Sequence, residues 1–325
     1  GATIGKIGIL TFPATTNQAC CACADYKAVT PKYLFNFLLS HKEEFVKMGG
    51  GGAQPNISKE KIISTLIPIP PIAEQNRIAD EIERLITYIE AIELNQGRLE
   101  QSLKLCKERI LDMALSGKLI PQDQDDEPAI ELLRKINPSF TPADNRHYEN
   151  VPKGWCFAKI KDIFIINPKN KANDYDMAGF VSMSMINEGY VDSYQYETRE
   201  WSSIKAGFTH FQDGDIAVAK ISPCLENRKS MILKGLPNGI GAGTTELHVF
   251  RSSIVDARYA LYFFKSDYFI AQCIGTFNGV VGQQRVGKSV IEDIVFPLPP
   301  LEEQRRIACT ISVIFKHLDN ILSEL

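Results

Sequence analysis

"PIPPIAEQNRIA", Pro68 to Ala79, returns as "PLPPLEEQRRIA", Pro297 to Ala308, 229 positions later. The offset persists upstream, where Gln54 falls on Gln283, Lys59 on Lys288 and Ile62 on Ile291. Further back, "YLFNFLLS" (Tyr33 to Ser40) resembles "YALYFFKS" (Tyr259 to Ser266) at an offset of 226, so the two copies differ by a short insertion. Solenoid repeats run roughly 20–50 residues, far shorter than this period. The repeat therefore marks duplicated domains. The chain holds one whole repeat, the tail of an earlier one and the head of a later one.

After Pro70 and Pro71 the apolar pattern becomes heptads. With Ile82 at position a, the seam is Ile78, Ile82, Leu85, Ile89, Ile92, Gln96, Leu99, Leu103, Cys106, Ile110 and Met113. Gln96 is its one polar member, and a stripe this long and narrow predicts a coiled-coil helix. Pro71 suits the first turn, Glu74 suits the positive helix end, and Gly117 is a natural stop. At 1.5 Å per residue the rod measures about 65–70 Å. The second copy keeps the frame with Ile307, Ile311, Ile314 and Leu318. Two such helices pack most simply as an antiparallel pair.

Five segments follow from this reading: 1–71, the C-terminal half of a globular domain; 72–117, the central long helix; 118–150, a linker with a short helix in "PAIELLRKI"; 151–300, a second globular domain; and 301–325, the start of a distal long helix. The globular parts alternate β-like runs with turns ("FAKIKDIFII", "GFVSMSMI", "DIAVAKIS", "KSMILKG", "TELHVFR"), and "DARYALYFFKSDYFIAQCI" reads as one helix. The expected class is α+β: mixed sheets with short helices, joined by long coiled-coil helices.

Composition is that of a globular protein, with 44% hydrophobic and 23% charged residues and a net charge of −3. No apolar run reaches membrane-spanning length and no secretion signal opens the sequence, so a reducing cytoplasm is expected. Cys20 and Cys23 make one C-x-x-C without a second pair at zinc spacing. "QACCACA" reads instead as a short strand with buried free thiols, and no metal site is expected.

With a negative total charge, any nucleic-acid contact needs local basic patches. "AKISPCLENRKSMILKG" carries Lys220, Arg228, Lys229 and Lys234 against Glu226, with Ser222 on the turn; its counterpart near the start offers Thr3 and Lys6. Cations and hydroxyls on a turn suit a phosphate backbone. "NGVVGQQRVGKS" adds Gln283, Gln284, Arg285 and Lys288, side chains able to pair with adenine or guanine edges. Gln54, Asn56 and Lys59 stand in the equivalent place of the first copy, and Thr244 and Thr245 supply further hydroxyls. These are the expected DNA-binding residues.

"GQQRVGKS", Gly282 to Ser289, also fits a phosphate loop. Only a few residues separate Ser289 from Pro297, too few for the helix such a loop needs, and the first copy reads "AQPNISKE", without the glycines. No methyltransferase loop of the [ND]-P-P-[YF] type occurs; "NPSF", Asn137 to Phe140, lacks the second proline. The histidines His41, His147, His210, His248 and His317 are scattered. No catalytic residue is expected. The readings left standing are a DNA-reading adaptor, a coiled-coil scaffold without a DNA role, and an NTPase working through Lys288.

The duplicated "PIPPIAEQNRIADEIE" and "PLPPLEEQRRIACTIS", with "ALSGKLIPQDQDDEPAIELL" and "VPKGWCFAKIKDI", resemble the specificity subunit of type I restriction–modification systems. The resemblance covers nearly the whole chain, truncated at both ends. It implies two target recognition domains reading a bipartite double-stranded DNA sequence, separated by antiparallel helices. It implies modification subunits, two in number, that methylate adenine from S-adenosylmethionine, and restriction subunits that use ATP and Mg²⁺. It implies no cofactor and no catalysis in this chain itself. The short distal helix implies that a second copy could complete the coiled coil.

Overall fold

The computed structural model describes residues 4–324 except 25, 51–55, 145–146, 149–150 and 277–283. The chain divides into two compact units, Gly1–Leu99 and Glu100–Leu325. The helices are α1 (Pro31–Ser40), α2 (Lys42–Met48), α3 (Lys59–Ile63), α4 (Ile72–Leu115), α5 (Ala129–Ile136), α6 (Ile160–Ile163), α7 (Trp201–Ile204), α8 (Ala257–Phe264), α9 (Asp267–Ile274), α10 (Lys288–Asp293) and α11 (Leu301–Ser323). The strands are β1 (Cys156–Lys159), β2 (Ile165–Ile166), β3 (Met177–Val181), β4 (Glu197–Glu200), β5 (Thr209–Gln212), β6 (Ile216–Ala219), β7 (Ser230–Ile232), β8 (Ile240–Gly243), β9 (Leu247–Arg251) and β10 (Val295–Leu298). The class is α+β.

Within the first unit, α1 to α3 lead into α4. Gln75, in the first turns of α4, is fully buried. Its Oε1 accepts from Thr30 N at 2.8 Å, and its Nε2 donates to the carbonyls of Ala28 and Pro70 at 2.8 and 2.9 Å. The Tyr33 hydroxyl donates to Pro68 O at 2.9 Å. The second unit repeats both devices. Gln304 Oε1 accepts from Asp256 N at 2.8 Å, its Nε2 donates to Pro299 O at 2.9 Å, and Tyr259 OH donates to Pro297 O at 2.9 Å. The sequence repeat is thus a repeat of buried hydrogen bonds, with a Gln and a Tyr clamping each Pro-rich entry to its long helix.

The second unit is built on two four-stranded sheets. One has the order β2-β9-β6-β7 and is antiparallel throughout. The other has the order β4-β3-β8-β5, with β3 and β8 parallel. A two-stranded ribbon pairs β1 with β10. "IAVA" of β6 is buried at every position because helices cover one face and the second sheet covers the other. Ile216 and Val218 join Phe250 and Phe264 on the helical side. Ala217, Met231 and Val249 meet Val181 and Phe211 between the sheets. On the outer face Ala178 and Phe180 pack on Trp201 of α7.

Gly241 is required by a close approach: a Cβ there would lie 2.3 Å from Cε2 of Phe211 and 2.4 Å from Gly179 O. β8 therefore escapes recognition in the sequence, as do the short β4, β5 and β10. The single helix expected over 256–274 is two. Ser266 breaks it by capping α9, its Oγ accepting from Phe269 N at 3.2 Å. "QACCACA" is not a strand: Asn17 Oδ1 accepts from Ala19 N at 2.9 Å in a local turn, and Cys20, Cys21 and Cys23 are exposed. Buried thiols lie elsewhere, at Cys156 and Cys273, both pushed up to about 12 by burial.

α4 stops where Gly117 takes a φ of +71°, with Lys118 N bonding Met113 O at 2.8 Å and Gly117 N bonding Ala114 O at 3.3 Å. In the second unit α4 and α11 run antiparallel, since Lys107 pairs with Asp319 and Gln122, just past α4, reaches Glu303 at the start of α11. The buried stripe there is Leu103, Lys107, Leu111, Ala114 and Leu115, not the expected Cys106, Ile110 and Met113. A straight helix drifts about 20° per heptad from a 3.5-residue frame, so four heptads after Ile82 the facing position has moved by nearly one residue. In α11 Ile307 and Ile311 are buried as expected, and Phe315 takes the place expected for Ile314. The expected linker is not free of the domain, because Ala129, Leu133, Phe140 and Tyr148 belong to its core.

Candidate nucleic-acid interface

The turn after β6 and the segment before α10 come together at one end of the β2-β9-β6-β7 sheet. Ser222 N donates to Gln284 O at 2.8 Å, Val286 N donates to Lys220 O at 3.0 Å, and Ile221 bridges Arg285. The start of β9 supplies the third strand of this cluster. Lys220 N donates to Glu246 O at 2.9 Å. Arg285 holds the Glu246 carboxylate in a fork, with Nε and Nη2 at 2.8 and 2.9 Å. That guanidinium lowers the Glu246 carboxyl below its ordinary range. Thr244 Oγ1 accepts from Glu246 N at 3.2 Å, and Thr245 beside it is exposed.

His248 fastens this end from below. It is buried, its Nε2 donates to Val286 O at 3.2 Å, and its Nδ1 accepts from Asn167 Nδ2 at the same distance. Burial lowers its pKa to about 4, so the ring is neutral at physiological pH and both nitrogens are satisfied. Sequence reasoning missed His248 because its neighbours in space, Asn167 and Val286, are far off in the chain. It missed Gln75 and Gln304 as well, although both lie inside the Pro68–Ala79 and Pro297–Ala308 repeat and are identical in its two copies.

The structure thus assembles Lys220, Ser222, Thr244, Thr245, Gln284 and Arg285. Ser222 Oγ donates to Glu226 at 2.5 Å. The ammonium of Lys220 forms no ion pair with the described residues. Lys288 is exposed at the first turn of α10 and pairs with Glu292 at 3.4 Å. α10 has six residues, which is not the long helix of a phosphate loop.

Two expected residues stand apart. Arg228 is buried at the far end of the same turn, and Lys229 donates to Met183 O at 3.3 Å and lies 3.7 Å from Glu188. Both are turned into protein because the carboxylates and carbonyls that satisfy them are there. In the first unit Lys6 and Lys59 are exposed, and Asn56 is exposed while bridging Gly50. Thr3, Gln54 and Gln283 lie outside the described residues. Along α4, Ile78, Ile82 and Leu99 are half-buried, whereas Leu85, Ile89 and Ile92 are 48%, 55% and 65% exposed.

Residues 1–104 and 152–325 match the family described as type I restriction modification DNA specificity domain, and the chain belongs to that family. Over 233 residues it is 39% identical to the type I restriction enzyme EcoAI specificity subunit of Escherichia coli, covering 66% of this chain and 40% of that protein. Over 239 residues it is 38% identical to the EcoEI specificity subunit of Escherichia coli, covering 67% and 40%. The chain thus spans about two fifths of the length of these relatives. A solved structure described under complex assembly and conformational transition of the type I R-M system shares the fold, with a TM-score of 0.64 at 17% identity over 93% of this chain and 67% of that one. Among the described residues no helix is long and apolar enough to cross a membrane.

Proposed function

We propose that this chain reads DNA sequence for a type I restriction–modification complex and is not itself catalytic. The observation that carries this reading is the paired turn and loop at Lys220–Ser222 and Gln284–Val286, in a chain whose family is a DNA specificity domain. Lys220 and Lys288 meet phosphates; Gln284 and Arg285 read base edges, Arg285 by exchanging its fork from Glu246 to a guanine. Ser222, Thr244 and Thr245 give backbone contacts. Lys6, Asn56 and Lys59, with Thr3, Gln54 and Gln283, take corresponding roles. Modification subunits, two per chain, supply methylation of adenine from S-adenosylmethionine; restriction subunits supply the ATP- and Mg²⁺-dependent steps. The exposed Leu85, Ile89 and Ile92 await cover from such a subunit or from a second copy of the chain. The assembly works in the cytoplasm.

Methylation mapping tests this. The chain is co-expressed with its neighbouring modification subunit, and host DNA is sequenced for N6-methyladenine. A split motif with a fixed gap is the expected result. A palindrome of one half-motif assigns the reading to residues 151–300 of two associated chains. No methylation, together with no salt-sensitive duplex binding, returns the chain to the scaffold reading.

A further inference from the structure

Arg228 ends the turn that begins at Lys220, and it has a left-handed φ of +58° without being glycine. Such a conformation persists only where its surroundings over-determine it, and it gathers at functional sites. The surroundings here are complete. Nε donates to Lys265 O at 3.0 Å; Nη2 pairs with Asp267 and lies 3.4 Å from Glu108 on α4. The guanidinium stands 4.9 Å from the centre of the Tyr190 ring. Its own carbonyl accepts from Lys265 Nζ at 2.9 Å and from Ser230 Oγ at 3.3 Å. Lys265 is fully buried and sends its second bond to Gly189 O at 2.8 Å, tying a third segment to the same point. Arg228 and Lys265 therefore clasp each other, each giving a donor to the other's carbonyl.

The clasp joins two places with different work. One end of the turn pairs with Gln284 and carries Lys220 and Ser222. The other is pinned to the long helix and to the α8–α9 junction. We infer that Arg228 is a positioning residue for DNA specificity: it sets the recognition turn against the long helix and touches no DNA. This rests on the DNA-reading function proposed above and adds a residue whose effect is indirect. Arginine is needed because one planar fork must reach a carbonyl and two carboxylates, which a lysine ammonium cannot span.

The test uses the full chain assembled with its modification subunits. Binding is measured to a duplex carrying the methylated motif found for the unaltered protein and to one with the half-site of residues 151–300 scrambled, across a salt series. Arg228→Gln and Arg228→Lys are both expected to reduce the preference for the intact duplex about three- to thirtyfold, the range seen for indirect coupling, with the salt slope unchanged. Lys220→Gln is expected to lower that slope by about one and leave the preference intact. A slope reduced by about one in Arg228→Gln overturns the inference, because the guanidinium is then on a phosphate. A preference unchanged while the melting temperature falls overturns it too, leaving Arg228 a stability residue. Should Arg228→Gln fail to fold, Glu108→Gln on the long helix carries the same expectation. Unaltered protein that binds both duplexes equally defeats the parent reading instead.

Discussion

His248 shows how one residue ties together the end of the sheet where the Lys220 turn meets the Gln284–Val286 segment. Its neutral ring is required by burial, by a carbonyl on Nε2 and by an amide donor on Nδ1. Its folded pKa of about 4 lies below the ordinary 6.5, so the unfolded chain binds the additional proton between those values. Stability is therefore full above pH 6.5 and is lost as pH falls toward 4, by on the order of 3 kcal/mol from this group. Thermal melting of His248→Asn across that window is expected to fall less steeply than that of the unaltered protein; parallel curves would show that His248 is not the group responsible. Arg285 carries a second expectation at this scale. Its fork to Glu246 is exposed enough to exchange, so Arg285→Ala is expected to relax one base position, at about 1–3 kcal/mol of discrimination, with little change in melting temperature.

Among the elements, the Gln clamps and the crossing of β8 are where single changes cost most. Gln304→Ala leaves Asp256 N and Pro299 O without partners at the root of α11, and a loss of about 3 kcal/mol is expected in denaturant unfolding. Gly241→Ala places a methyl against the Phe211 ring and the Gly179 carbonyl, and about 1–3 kcal/mol of destabilisation is expected. If Gly241→Ala melts like the unaltered protein, β8 does not lie this close to β3 and β5. The long helix teaches a related lesson. Its heptads are visible in the chain, but the residues that enter the domain core are Leu111, Ala114 and Leu115. Leu111→Ala is thus expected to cost more than Ile110→Ala, about 2–5 kcal/mol against much less, which chemical denaturation would measure directly.

For the molecule as a whole, duplication is the governing fact. Each copy roots a long helix with the same buried Gln and the same Tyr-to-carbonyl bond. The two copies differ where target reading is proposed: the first has Asn56 at the position where the second has Arg285. A duplicated frame with divergent loops suits the proposed reading of two different half-sites. Exchange of the Gln284–Lys288 segment for that of another family member is expected to change one half of a mapped motif and leave the other half and the gap unaltered.

By itself the sequence determined the duplication, the α+β class, the long helices and their stop at Gly117, because each rests on local signals: period, proline, glycine and alternation. It also placed the polar turn and the Gln/Arg segment, though not their meeting across some sixty residues of chain. Tertiary structure alone decided which of those side chains face outward. Arg228 and Lys229 share their composition with Lys220, yet the carboxylates of Glu108, Asp267 and Glu188 lie within their reach and draw them inward. Burial of a charge depends on what stands opposite it, and only the fold brings that partner there.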